Sequence, residues 1–487
     1  MIDQVNRPAI FLSQRDYFFV AGCALVYVAA VFLVPPYINL IEPDSVGYIE
    51  FQPIRTALYP AFLYLCRVLG LDFVQITWVQ TAIFGAALAY LLIAMLRAGF
   101  ARWLLVLFVA ALAGNVLFSS FHRSILTESL FFSGTTVVLG LWIDYFRTGR
   151  TRFLVIAGFM LGLLVGIRPA GLGLLPMQLF AVRLKHPRNL SKWMLIIALV
   201  VPIGIGAGIE RLIYRAVHGG ISRSTASNLL MGMAAMLVKP NMQFTGPHAK
   251  TLRALGDELY QKYAPVQRYI ADAPSLGVRA QLSAAYEGEA QFQALGDKIV
   301  TAANKEGVSV GDLSSELGKQ VILQNLPGYV KLFLLNQFGQ WSVAAQKFPP
   351  IAHALAQYAD ANPAISLGGK LPYAFLHPTP SLVGAVCYPV FLVAGAVTLV
   401  LSVVFLVFLC LPALMDTREG FYLGLAAFMS TMCQGYTMFI STINEWTPRF
   451  LMAVMPQIEI VGLCLLVLLI NRLKPALNRM DTAGAST

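Results

Sequence analysis

Apolar runs of spanning length recur along this chain, and they constrain its fold more than any other feature. Residues 17–34, 73–96, 103–118, 124–145, 193–214, 421–440 and 450–470 are such runs, and another lies between 382 and 414. About 20 apolar residues cross the hydrocarbon core as a helix. Inside a bilayer the backbone must satisfy its own polar groups, which leaves helices as the natural form of these runs. Residues 153–182 are read as a hairpin of two short spans broken at Arg168-Pro169-Ala170-Gly171, because proline disfavours helix in the residue before it. The chain is therefore predicted to be an all-α polytopic membrane protein with about ten transmembrane helices. Its parts are a transmembrane module over 1–214, a mostly helical outer (periplasmic) segment over 215–380, and a C-terminal transmembrane part over 381–487. The stretches 256–271 and 281–303 read as helices of the outer segment. Residues 57–70 and 321–341 read as interfacial helices, too short or too interrupted to span.

Composition agrees with a bilayer environment: 57% of residues are hydrophobic and 12% charged, against about 25% charged in soluble proteins. The net charge of +11 does not point to nucleic acid, because the basic residues lie mostly in short loops between apolar runs. Arg97 and Arg102, then Arg147, Arg150 and Arg152, then Arg183 to Lys192, then Arg472 to Arg479 all fall on one side if the span count holds. By the positive-inside rule that side is cytoplasmic, and both termini lie there. Residues 17–34 form a first span rather than a cleaved signal. The six cysteines lie mostly in apolar runs without metal-ligand spacing, and no disulfide is expected in the outer segment.

On the opposite side four distant stretches carry acids and arginines. They are Glu42-Pro43-Asp44 with Tyr48, Arg55 and Tyr59; His122-Arg123 with Glu128; Arg168; and Glu445 with Arg449. Charges at helix ends in a membrane cost free energy unless they pair or face a wet cavity. Singly each has a plain reading: Asp44-Ser45 as a helix cap, Arg123 and Arg449 as snorkelling side chains, Glu128 as a partner of the helix dipole. Together they suit transfer from a lipid phosphate. A carboxylate takes the proton of an acceptor hydroxyl, and arginine forks hold the phosphate as its bond to sugar breaks. The charges read as lying at the outer span ends, with no internal repeat, and both points speak against a transporter or flippase.

The stretches Glu42-Pro43-Asp44-Ser45 with Tyr48, Arg55 with Leu58-Tyr59-Pro60, Leu126-Thr127-Glu128-Ser129-Leu130, Ile167-Arg168-Pro169-Ala170-Gly171-Leu172, and Pro448-Arg449-Phe450 with Pro456 resemble the C-type (GT-C) membrane glycosyltransferases. The bacterial branch similar to protein O-mannosyltransferases and lipid A aminoarabinose or galacturonic acid transferases is the nearest in pattern. The resemblance implies a bacterial cytoplasmic (inner) membrane enzyme with its active site facing the periplasm. It implies a polyprenyl-phosphate sugar donor and an envelope glycolipid, glycan or protein acceptor. Asp44 is then the catalytic base, with Glu42 and Glu128 as the other acids. Arg55, Arg123, Arg168 and Arg449 are donor-phosphate ligands, and Tyr48, Tyr59, His122 and Glu445 are substrate contacts. Many relatives carry two adjacent acids in the first loop, whereas a proline separates Glu42 from Asp44 here. Some members use a divalent metal ion and others none, so no cofactor is assigned. An O-antigen polymerase or ligase using diphosphate-linked glycans is the alternative enzyme.

Overall fold

The computed structural model describes residues 12–186, 191–219, 225–342, 347–363, 365, 373–444 and 447–484. Every regular element among them is helical. The chain divides into two compact units, one of residues 1–221, 397–436 and 452–487, the other of residues 222–396 and 437–451. The first unit thus extends a few residues beyond 214 and regains chain from the C-terminal third. The second takes in the segment 437–451 and the start of the long helix after 381.

In chain order the first unit contains α1 (Gln14–Leu33), α2 (Pro43–Ile49), α3 (Leu58–Val68), α4 (Phe73–Arg97), α5 (Arg102–Gly114), α6 (Val116–Ser120), α7 (Glu128–Thr148), α8 (Thr151–Ile167), α9 (Pro176–Leu184) and α10 (Lys192–His218). The second opens with α11 (Thr225–Leu237), α12 (Ala249–Ala271), α13 (Leu276–Gln293), α14 (Asp297–Glu306), α15 (Val310–Gln324), α16 (Leu326–Trp341), α17 (Pro349–Ala361) and α18 (Tyr373–Leu376). Then follow α19 (Leu382–Cys410), α20 (Arg418–Ile443), α21 (Pro448–Met452) and α22 (Met455–Gly484). Among the described residues seven helices are long and apolar enough to cross a membrane: α1, α4, α7, α10, α19, α20 and α22. The pair Arg102–Gly114 and Val116–Arg123, bent by 68°, makes an eighth if taken as one broken span. The remaining two of the expected ten spans correspond to α8 and to Pro169–Leu184, both shorter than a full span.

Local sequence explains the boundaries. Ser13 and Asp16 cap α1 reciprocally (Ser13 N to Asp16 Oδ2 2.8 Å, Asp16 N to Ser13 Oγ 3.3 Å), and Pro35-Pro36 follow its end. Asp72 and Gln75 do the same for α4 (2.8 and 2.9 Å). Gly149, at φ +65°, closes α7 in the left-handed region. The break at Arg168 is present: α8 stops at Ile167, and Pro169–Leu174 forms a 3-10 turn. The chain then returns beside α8, where Gln178 Nε2 donates to the Leu154 carbonyl (2.6 Å) and Oε1 accepts from Trp142 Nε1 (2.9 Å).

Helix α7 is buried almost all round, whereas α1 and α10 bury one face and leave the rest to lipid. Small residues permit the tightest approach. A Cβ on Gly162 of α8 would come within 2.3 Å of the Ile203 carbonyl, and one on Gly206 of α10 within 2.5 Å of the Phe159 carbonyl. Gly158, Gly162 and Gly166 repeat at four-residue spacing, the small-residue seam of membrane helix pairs. This seam fixes the end of α8, where Arg168 begins.

The arginine-rich turns gather at the far end of α7. Asp144, fully buried, lies 3.5 Å from Arg97 and 3.2 Å from Arg147, Tyr145 donates to the Lys185 carbonyl, and Lys185 pairs with Asp416 (2.6 Å). Removing one member of a buried pair costs about 3–5 kcal/mol because the other charge stays buried. Asp144→Ala is therefore expected to lower the unfolding temperature of the detergent-solubilised protein clearly. It should leave specific activity intact, since Asp144 stands about 24 Å along α7 from Glu128 at 1.5 Å per residue. A melting temperature equal to the parent's would show the cluster to be idle.

The second unit is built as a water-facing helical domain is. On α12, Leu252, Leu255, Leu259, Tyr263 and Val266 are buried at helical spacing. They pack with Val278, Leu282 and Tyr286 of α13 and Leu317 and Val321 of α15 in one core. The expected helix over 281–303 is two, α13 and α14, separated at Gly296 with φ +50°. The expected interfacial stretch 321–341 is likewise divided at Asn325, whose side chain caps α16 by accepting from Gly328 N (3.2 Å). Outside the membrane helices, hydrogen bonds from Thr251 and His248 hold the Glu306 carboxyl below its usual range, and burial pushes the Tyr286 hydroxyl up to about 12.

Candidate functional site

The first loop is the keystone of the site in the first unit. After α1, the Tyr37 amide donates to Ser120 Oγ (2.6 Å) and the Ile125 amide to the Leu40 carbonyl (2.8 Å). These bonds tie the loop to the bend below α7. Arg123 belongs to this tie: its Nη1 donates to the Val34 carbonyl (3.0 Å), and its guanidinium lies 5.8 Å from the Phe32 ring centre.

The acidic stretch forms α2. The Glu42 amide donates to Ser45 Oγ (2.9 Å), and Glu42 Oε1 accepts from the Asn39 amide (2.8 Å). Asp44 is thus inside the first turn, and the cap role falls to its neighbours. Phe51, with φ +50°, reverses the chain in a conformation uncommon for a bulky residue. The following residues run back over α2, and Arg55 Nη2 reaches Asp44 Oδ1 at 2.8 Å. The same guanidinium lies 4.7 Å from the Tyr48 ring centre. A Cβ on Gly47 would stand 2.6 Å from Arg55 Nε, so any larger residue there would push the guanidinium from this position. Both partners remain partly open, with 31% of the Asp44 side chain and 21% of the Arg55 side chain exposed.

On either side of Arg55 the chain is bound to two further helices. Thr56 Oγ1 donates to the Ile167 carbonyl (2.7 Å), the Ala57 amide to Glu210 Oε1 (3.0 Å), and Tyr214 Oη to the Pro53 carbonyl (2.8 Å). Ile167 precedes Arg168, whose Nη1 lies 2.9 Å from Glu128 Oε1. That pair is sealed, with 9% and 1% of the side chains exposed. Tyr59 Oη donates to Gln80 Oε1 (2.7 Å), Gln80 Nε2 donates to the Ser124 carbonyl (3.2 Å), and Tyr59 meets Tyr48 edge to face at 5.3 Å.

Three loops spread over more than a hundred residues of sequence therefore converge at one end of the first unit, bringing together Glu42, Asp44, Tyr48, Arg55, Tyr59, Arg123, Glu128 and Arg168. His122 lies deeper. It is fully buried, with Nδ1 2.8 Å from Ser129 Oγ and its ring among Tyr27, Phe84, Phe118 and Phe132. Arg449 belongs to the second unit, in the first turn of α21, 5.6 Å from the Phe450 ring centre. Glu445 lies outside the described residues.

Beside the paired charges runs an apolar groove of about 420 Å³ between α4, α7 and α8. Leu130 and Ile167 line it, two residues from Glu128 and one from Arg168, and Ile83, Val137, Met160 and Leu163 continue it. Its lining thus leads in sequence directly to the Glu128–Arg168 pair. Among the described residues no group of three or more His, Cys, Asp or Glu side chains converges as a metal site.

Reading the sequence missed three polar residues. Glu210, Gln80 and Glu459 all lie in apolar runs, which was the available signal. Glu459 lies one turn past Met455 in α22, a helix long and apolar enough to cross a membrane. No family model, curated protein or solved structure matches the chain.

Proposed function

We propose that this protein is a membrane glycosyltransferase that moves a single sugar from a polyprenyl-phosphate carrier to a hydroxyl of an envelope glycolipid, glycan or protein. The observation that carries this reading is the apolar groove bounded by residues adjacent to the Glu128–Arg168 pair, within the unit that also holds Asp44 with Arg55. The isoprenoid tail lies in the groove, and the phosphate meets Arg168. Asp44 is the base. It takes the acceptor proton as the hydroxyl oxygen attacks the anomeric carbon and the bond to phosphate breaks. Arg55 orients the Asp44 carboxylate, and Arg168 stabilises the charge that grows on the departing phosphate. Tyr48 is a substrate contact in this reading.

In this reading the Asp44 end faces outward from the bacterial cytoplasmic membrane, because the arginine-rich turns gather at the other end of α7. The test supplies purified full-length protein in lipid nanodiscs with synthetic donors. Monophosphate-linked sugar should yield glycosylated acceptor and free polyprenyl phosphate. Turnover with diphosphate-linked oligosaccharide alone would assign a polymerase or ligase instead, and turnover with neither would remove the transferase reading.

The groove gives a sharper expectation. Val137→Trp fills it without touching a charged residue. Each buried methylene contributes about 0.8 kcal/mol, so excluding a few isoprenoid carbons should raise KM for a long-chain donor about tenfold or more. A short-chain donor should be little affected. Equal effects on both donors would place the tail elsewhere.

A further inference from the structure

Glu459 lies one turn into α22, four residues after Met455. It is the one acid of the apolar run 450–470. The residue is half-buried, yet both carboxyl oxygens are sealed and have no hydrogen-bond partner among the described residues. An ionisable side chain inside a membrane span is costly and is kept where it has work to do.

Its surroundings are chemically selective. The Tyr27 hydroxyl of α1 is an electrostatic neighbour of Glu459 and faces Ser119 of α6. Ser119 itself donates to the carbonyls of Leu112 and Ala113 (3.4 and 3.3 Å), and the Tyr27 hydroxyl makes no hydrogen bond of good geometry among the described residues. The Tyr27 ring meets the His122 ring edge to face at 5.9 Å. His122 Nε2 is sealed and unpartnered among the described residues, while Nδ1 is 2.8 Å from Ser129 Oγ, next to Glu128. Phe84 and Phe118 close around the imidazole at 4.4 and 5.5 Å. On the other flank, Gln457 Nε2 lies 3.8 Å from Met432 Sδ, and Cys433 Sγ lies 3.9 Å from the Val454 carbonyl. Tyr436 of α20 and Cys464 of α22 are further buried titratable groups of these helices. A metal cation needs several converging oxygen or nitrogen ligands, and no such group of acids, histidines and cysteines is found among the described residues. A sugar needs a cavity, whereas a proton needs only a base and neighbours that can pass it on.

We infer that Glu459, Tyr27, Ser119 and His122 form a proton-binding site within the membrane, with Glu459 as the acid and the Tyr27 hydroxyl and His122 imidazole as the groups through which its proton exchanges. The site loads and releases one proton and needs no other reactant. It stands on its own geometry and does not depend on the transferase reading.

The test treats the full-length protein in lipid nanodiscs with dicyclohexylcarbodiimide across pH 6–9 and maps modified carboxyls by peptide mass spectrometry. Only the protonated acid adds its O–H across the carbodiimide C=N bond, so modification of Glu459 should be strong at low pH and fall as pH rises. A water-soluble carbodiimide should leave Glu459 unmodified. Glu459→Gln should lose the label at that peptide. Tyr27→Phe and His122→Gln should keep the label but displace its pH midpoint by about one unit, the size of a single neighbour's effect. Because labelling is read on the parent and on these two variants, the result stands even if Glu459→Gln does not fold. The inference is overturned if Glu459 stays unmodified at every pH, if both reagents modify it equally, or if the three midpoints coincide. Sugar transfer is not measured, so loss of the transferase reading would leave this outcome untouched.

Discussion

Asp44→Asn is expected to lower turnover about 10²–10⁴-fold, the usual range for removing a general base, with donor affinity little changed. Asparagine keeps the shape of the side chain and its hydrogen-bonding reach toward Arg55, 2.8 Å away, so the loss would report basicity. The structure sharpens this choice of variant. Asp44 is not the cap of α2, since Glu42 and Ser45 make the capping contacts, and an effect of Asp44→Asn cannot be assigned to a melted helix end. Glu42→Gln should cost far less, because Glu42 Oε1 is occupied by the Asn39 amide. Measuring kcat and KM for the three proteins decides the matter. Normal turnover in Asp44→Asn with a dead Glu42→Gln or Glu128→Gln would move the base and keep the enzyme class. Parent rates in all three would end the general-base mechanism.

The Glu128–Arg168 pair should separate into an anchor and a ligand. Glu128→Gln removes the countercharge of a sealed arginine and should cost about 3–5 kcal/mol of stability, read as a lower melting temperature. Arg168→Lys keeps the charge but loses the planar fork. If Arg168 holds the donor phosphate, that change should lower turnover about 10²–10³-fold, the cost of losing one preorganised donor at a developing negative charge. Its melting temperature should fall less than that of Glu128→Gln. Full turnover in Arg168→Lys would reduce the pair to a staple between α7 and α8, and the phosphate would then have to meet Arg55 instead.

Much of this arrangement was legible before any coordinates. The hairpin at Arg168-Pro169 could be read because proline disfavours helix in the residue before it and a break keeps both flanking basic loops on one side, and α8 does end at Ile167. The common end for the acidic loop, Glu128 and Arg168 followed from counting spans between basic turns. Two expectations needed refinement for local reasons. Gly296 and Asn325 divide stretches that propensity alone joined. Glu459 escaped notice because one acid barely changes the mean hydropathy of a long apolar run.

The sequence by itself determined that the chain is helical and membrane-embedded, which residues carry charge at span ends, and where the chain must turn. Those properties are local: they depend on run length, on proline and glycine, and on the charge of short loops. Only the tertiary structure decided the partners. Arg55 reaches Asp44 because Phe51 reverses the chain and Gly47 leaves room. Arg168 meets Glu128 because the glycine seam sets α8 tightly against α10 while α8 also packs on α7. Tyr27, His122 and Glu459 become neighbours across hundreds of residues by packing alone. Pairing depends on side-chain reach of a few ångströms, and sequence spacing carries no record of it.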